Sequence, residues 1–140
     1  MKPRISVITL GVDDLERSLD FYRDGLGLPT EGIVGTEFAD GAAAFLRLDG
    51  GLVLALFPRT SLAKDARVAV GAPSATEFSL AHNVGSVEAV DAVVREAEAA
   101  GGRIVDPPHD RFWGGYAGYF QDPDGHLWEV VFNPSWPMQD

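Results

Sequence analysis

The stretch from Pro107 to Tyr119 is the most informative in the chain for chemistry. His109 stands beside Asp110 after two prolines, and Phe112, Trp113, Tyr116 and Tyr119 surround the pair Gly114-Gly115. Glycines permit close backbone approach or a mobile lid, and aromatic faces stack planar molecules or hold cations. Trp113 and Tyr116 are the expected ligand contacts here. His109 reads as a solvated loop residue whose aspartate neighbour could orient its imidazole. The chain has no cysteine, so disulfides, thiolate nucleophiles and zinc sites built on sulfur are excluded.

Charge narrows the partners. The net charge of −10, from 21 acidic and 11 basic side chains, repels phosphate backbones and anionic lipid surfaces. Neither a nucleic acid nor a membrane is an expected partner. The same field favours a cationic small molecule, besides keeping the protein soluble. No apolar run approaches the roughly 18 residues that a membrane span needs, and Met1-Lys2-Pro3-Arg4 leads into a short apolar stretch without a signal-cleavage pattern. The expected location is the cytoplasm.

The elements that must position these residues follow from periodicity. Ile5 to Leu10 is a short β-rich run, and Gly11 to Asp14 turns into a helix with Asp13 as its expected N-cap and Glu16 three positions on. Leu15, Leu19, Tyr22 and Leu26 repeat at the spacing of one helix face. Strands are expected from Gly32 to Phe38, from Ala43 to Leu48 and from Leu52 to Phe57, the last two joined by the hairpin chemistry of Asp49-Gly50-Gly51. Residues 58–73 look like a connector, with one helical turn at Ser61 to Ala66. A second series then begins: a strand from Glu77 to Val84, a helix capped by Ser86 with Val87, Val90, Val94 and Ala97 as its stripe, and strands at Arg103 to Val105, Tyr116 to Gln121 and Leu127 to Phe132. Val12-Asp13-Asp14-Leu15-Glu16 corresponds to Val84-Gly85-Ser86-Val87-Glu88, a spacing of 72 residues that marks a duplicated module. With 140 residues, of which 46% are hydrophobic, there is room for one domain. Its two halves run from about 4 to 60 and from about 75 to 133.

The string Gly118-Tyr119-Phe120-Gln121-Asp122-Pro123-Asp124-Gly125-His126-Leu127-Trp128-Glu129-Val130 resembles the last hairpin of the glyoxalase/bleomycin-resistance/dioxygenase superfamily, the vicinal oxygen chelate fold. Ile8 to Tyr22, ending in Phe21-Tyr22 and followed by Leu26-Gly27, is similar to the first strand and helix of that family. The resemblance covers nearly the whole chain. It implies an α+β fold of two βαβββ modules, a curved mixed sheet around a central cup, and a homodimer.

In metalloenzymes of that family the ligands are a histidine in the first strand of each half and a glutamate in the last strand of one or both. The resemblance places Val7, Ala55, Ser79 and Glu129 at those positions, and only Glu129 binds a metal well. Strand alternation adds Thr9 to the side of Val7, and Glu77 to that of Ser79. By the same parity His82 and His126 point toward the helix layer or the edge. Three readings follow. In the first, Val7, Thr9, Ala55, Ser79, Trp113, Tyr116 and Glu129 line a cup that binds a small aromatic or cationic molecule with no metal cofactor. In the second, one divalent metal ion held by Glu129 with Glu77 supports a glyoxalase-like lyase or isomerase. In the third, Glu129 or Glu77 is the general base of a metal-free enzyme.

Overall fold

A computed structural model describes residues 1–136 and residue 138. The chain divides into two compact units, Met1–Ala72 and Pro73–Asp140. Each has a four-stranded mixed sheet and the order strand, helix, three strands. Among the described residues, no helix is long and apolar enough to cross a membrane.

In the first unit β1 (Val7–Val12) leads into α1 (Leu15–Leu19), which widens into a π-turn over Asp20–Gly25. Next come β2 (Thr30–Val34), β3 (Ala43–Arg47), β4 (Val53–Pro58) and α2 (Arg59–Ala66). The sheet order is β1-β4-β3-β2, with β1 and β4 parallel and the other pairs antiparallel. Asp14 rather than Asp13 caps α1: its carboxylate accepts the backbone N–H of Arg17 at 3.0 Å. Asp13 instead accepts from the Arg59 guanidinium at 3.0 Å. The connector also holds a longer helix than the single turn expected, because α2 begins directly at the end of β4.

Alternation sends Leu10, Leu46, Leu54 and Leu56 to one face of this sheet, where α1 and its continuation bury Leu19 and Tyr22; each of these six is at most 1% exposed. Full burial of such a side chain stabilises by about 1.5–3 kcal/mol, so this face holds the core of the unit. At the β3–β4 turn, Gly50 and Gly51 have φ of 77° and 88°, values that glycine alone adopts without strain.

The second unit repeats the plan with β5 (Leu80–Asn83), α3 (Val87–Ala99), β6 (Arg103–Asp110), β7 (Tyr116–Gln121) and β8 (Leu127–Phe132), in the order β5-β8-β7-β6. Ser86 caps α3 by accepting from Ala89 N–H at 3.1 Å, and Val90, Val94 and Ala97 of the expected stripe are buried. The sheet face they cover carries Phe120 and Trp128, stacked with centroids 6.0 Å apart, and Val130.

Two boundaries differ from the sequence expectation. β5 starts at Leu80, not Glu77, because its parallel partner runs out: Leu80 pairs with Trp128, and β8 begins only one residue earlier. Glu77 therefore lies in a bend and Ser79 just before the strand, both exposed. β6 in turn extends through Pro107-Pro108 to Asp110, which makes His109 a strand residue opposite Ala117. As the edge strand, β6 loses no ladder bond on its outer side to a proline. Its register shifts on either side of Asp106, and a Cβ on Gly118 would meet the Pro108 ring at 2.8 Å.

The β7–β8 turn is organised by one buried carboxylate. Asp122 Oδ1 accepts the backbone N–H groups of Asp124 (2.9 Å) and His126 (2.8 Å), and Oδ2 lies 2.7 Å from His126 Nδ1. Its side chain is fully buried. Removing one partner of a buried hydrogen-bonded pair leaves the others unsatisfied, at about 3 kcal/mol. Asp122→Ala should therefore lower the free energy of unfolding by about that much in a urea titration, while Asp122→Asn, which keeps one acceptor oxygen, loses less. A loss within error for the alanine variant would show that the turn closes without the carboxylate.

Candidate functional site

Glu129 lies on β8 with a neighbour on either side of it. It pairs with Ala81 on the parallel strand β5 and with Tyr119 on the antiparallel strand β7. Side chains of directly paired residues share a sheet face, so all three lie on the face away from α3. Two residues along β8 in each direction, Leu127 and Val131 add apolar surface to the same face. The Glu129 carboxylate is half-buried and takes a hydrogen bond from the Tyr119 hydroxyl. Among the described residues no basic side chain forms an ion pair with it.

Tyr119 is itself held in place. The Arg111 guanidinium lies 5.7 Å from the centre of its ring, and Arg111 Nη2 donates to Asp106 at 2.7 Å and to the carbonyl of Ala117 at 3.0 Å. Asp106 also meets His109 Nε2 at 3.2 Å. The hydrogen bond from Arg111, followed by that from His109, holds the Asp106 carboxyl below the usual carboxylate range. Arg111 is thus neutralised on its own side, and the formal charge left over on this face is that of Glu129. Burial first, and the Glu129 carboxylate second, push the Tyr119 phenol above the usual tyrosine range.

The residues expected from sequence are distributed as follows. Val7 lines a shallow depression of about 250 Å³ on the first sheet, with Glu31, Gly32, Val34, Phe45, Arg47 and Val53. Thr9 and Ala55 pair with each other on the same face, and Ala55 is only 3% exposed. Trp113 sits at the tip of the β6–β7 hairpin, where a Cβ on Gly115 would collide with its ring. The Gly-rich loop therefore serves to pack an indole against backbone. Tyr116 faces the other way from Glu129: its hydroxyl donates to Asp91 of α3 at 2.7 Å, a contact that raises its phenol pKa. Pairing explains this, since Tyr116 is opposite Phe132 and three residues from Tyr119. Sequence reasoning had named neither Tyr119 nor Arg111 as a contact. The signal for Tyr119 was present: alternation carried back from Glu129 through the hairpin lands on Tyr119, not Tyr116.

Chelation has two places to be tested. Of the positions matched to the family's metal ligands, Val7 and Ala55 offer no donor atom, Ser79 lies outside its strand, and Glu129 alone is a strong ligand. That donor set does not fit a divalent ion. Glu77, in its bend, is not on the strand that pairs with Glu129. Separately, Asp122, Asp124 and His126 present ligand atoms within 4.8 Å of one another, a group that could hold a metal ion. A cation there would compete with His126 for Asp122 Oδ2 and with the two backbone N–H groups on Oδ1.

The phenols report this geometry without a ligand. In an ultraviolet titration Tyr116 and Tyr119 should both ionise above the ordinary range, Glu129→Gln should bring Tyr119 down, and Asp91→Asn should bring Tyr116 down. An unchanged titration in Glu129→Gln, with Tyr119→Phe used to assign the signal, would contradict the Tyr119–Glu129 contact.

Comparison with known proteins places these features in a family. Residues 4–130 match the model of the Glyoxalase/Bleomycin resistance protein/Dioxygenase superfamily. The chain is 38% identical to a glyoxalase-related enzyme from Fulvimarina pelagi, with a TM-score of 0.83 over 98% of this chain and 93% of that one. It is 26% identical to a glyoxalase/bleomycin resistance protein/dioxygenase from Nocardioides, with a TM-score of 0.77 over 100% of this chain and 91% of that one. It is also 27% identical over 128 residues to the uncharacterized protein YraH of Bacillus subtilis, covering 88% of this chain and 93% of the relative. The duplicated βαβββ plan, the buried Asp122 turn and the match over most of the sequence lead to one conclusion: this chain belongs to the glyoxalase/bleomycin resistance protein/dioxygenase superfamily.

Proposed function

We propose that the chain binds a small, planar, positively charged molecule without a metal ion, on the sheet face that carries Glu129. The observation that supports this most is the state of Glu129 itself. A half-buried carboxylate amid Ala81, Leu127 and Val131, whose partner is a hydroxyl rather than a cation, is an anion with capacity to spare. A ligand cation supplies the missing charge, and the apolar neighbours accept a planar body. The net charge of −10 draws such a ligand toward the protein. Arg111 does not oppose it, because Asp106 lies 2.7 Å from its guanidinium.

Calorimetry against a panel of aromatic cations, with and without a chelator, tests the reading. Binding should be unaffected by the chelator and at least tenfold weaker in Glu129→Gln, in keeping with about 1.5–3 kcal/mol for a hydrogen bond to a charged group. Metal retained in stoichiometric amount and lost in Glu129→Gln would replace this reading with a glyoxalase-like lyase or isomerase. Turnover that survives the chelator but not the substitution would make Glu129 a general base instead.

A further inference from the structure

Resting on the reading just given, the acceptors around Glu129 set a narrower class of ligand. We infer that Tyr119 is a specificity-determining residue, whose hydroxyl oxygen and the Glu129 carboxylate form a two-point acceptor for the paired N–H groups of an amidinium or guanidinium.

The pairing of β7 with β8 sets Tyr119 directly opposite Glu129, so the two polar ends stand side by side on one face. A phenol has one proton and two lone pairs. The proton goes to Glu129, and the oxygen is left as an acceptor. The carboxylate, having taken one hydrogen bond, keeps acceptor capacity on its other oxygen. The result is two acceptors side by side with a single negative charge between them. A planar fork with two N–H donors satisfies both at once, as it does in bidentate carboxylate recognition. A compact ammonium meets Glu129 as a point charge and gains little from the second acceptor. A carboxylate or phosphate finds acceptors facing acceptors and is rejected.

Arg111 keeps the arrangement in register. Its guanidinium lies over the Tyr119 ring and is itself fixed by Asp106 and the Ala117 carbonyl. The phenol is thereby confined between Arg111 and Glu129. Tyr119 thus acts on the ligand directly through its oxygen and indirectly by orienting Glu129.

The test uses benzamidinium, benzylammonium and benzoate as probes on the native chain, Tyr119→Phe and Glu129→Gln, with binding measured by calorimetry. The native chain should bind benzamidinium most tightly and benzoate not at all. Tyr119→Phe, which removes one of the two acceptors, should weaken benzamidinium about tenfold and benzylammonium less than threefold, the effect of about one hydrogen bond. Glu129→Gln should weaken both cations. A change in the ratio between two cations is not produced by general loosening of the fold, and the melting temperature of Tyr119→Phe checks that separately. If Tyr119→Phe weakens the two cations equally, or neither, the inference is overturned while the binding reading stands. If the native chain binds no cationic probe, both are overturned.

Discussion

The buried carboxylate of Asp122 is the constraint on which the second sheet depends. A β-hairpin's register is fixed by its turn, and a shift of one residue sends every side chain to the opposite face. Asp122 accepts from two backbone N–H groups and from His126 within the turn, and this closes it in one geometry. The pairing then runs from Gln121 with Leu127 through Phe120 with Trp128 to Tyr119 with Glu129. Everything proposed for Glu129 rests on that count. Slipped by one, the carboxylate would face α3 and the apolar stripe of Val90, Val94 and Ala97, where no cation is at hand to offset its burial.

The same parity sorts the aromatic residues of β7 into two roles. Tyr116 and Phe120 serve the helix face, one by a hydrogen bond to Asp91 and the other by stacking on Trp128. Tyr119 serves the opposite face and meets Glu129. Two tyrosines three residues apart in sequence therefore share neither surroundings nor function. The phenol of each is raised, but the first by a carboxylate that anchors a helix and the second chiefly by burial. A perturbed pKa alone does not separate structural from functional groups. Here the partner on the other side of the hydrogen bond does.

How much of this could be read from the sequence follows from the range of each interaction. α3 was legible to its cap, because Ser86 and the stripe of Val90, Val94 and Ala97 are local in sequence. The β3–β4 turn was legible because Asp-Gly-Gly carries its own backbone preference. The start of β5 was not, because Leu80 becomes a strand end only where β8 begins to supply a partner. Nor was the passage of β6 through Pro107-Pro108, since an edge position, unlike a central one, is a property of the sheet and not of the segment. Within the site, Glu129 was found by resemblance to a motif. Tyr119 required the pairing across the turn, and Arg111 required a hairpin to fold its side chain back over β7.

Duplication with divergence explains why the two units share a plan and not a chemistry. In both, the first strand lies parallel to the last, and the paired positions on one face are Thr9 with Ala55 in the first unit and Ala81 with Glu129 in the second. The topology is the same, yet one pair presents a hydroxyl and a methyl, the other a methyl and a carboxylate. A chelate site in this family needs several strong donors at such positions, and one carboxylate does not make a coordination sphere. What one carboxylate does make, when a phenol donates to it and apolar side chains surround it, is a directional anion. The scaffold holds the paired positions constant, and the side chains placed there decide whether a face chelates, stacks or accepts hydrogen bonds. In this chain the Glu129 face is fitted to accept them.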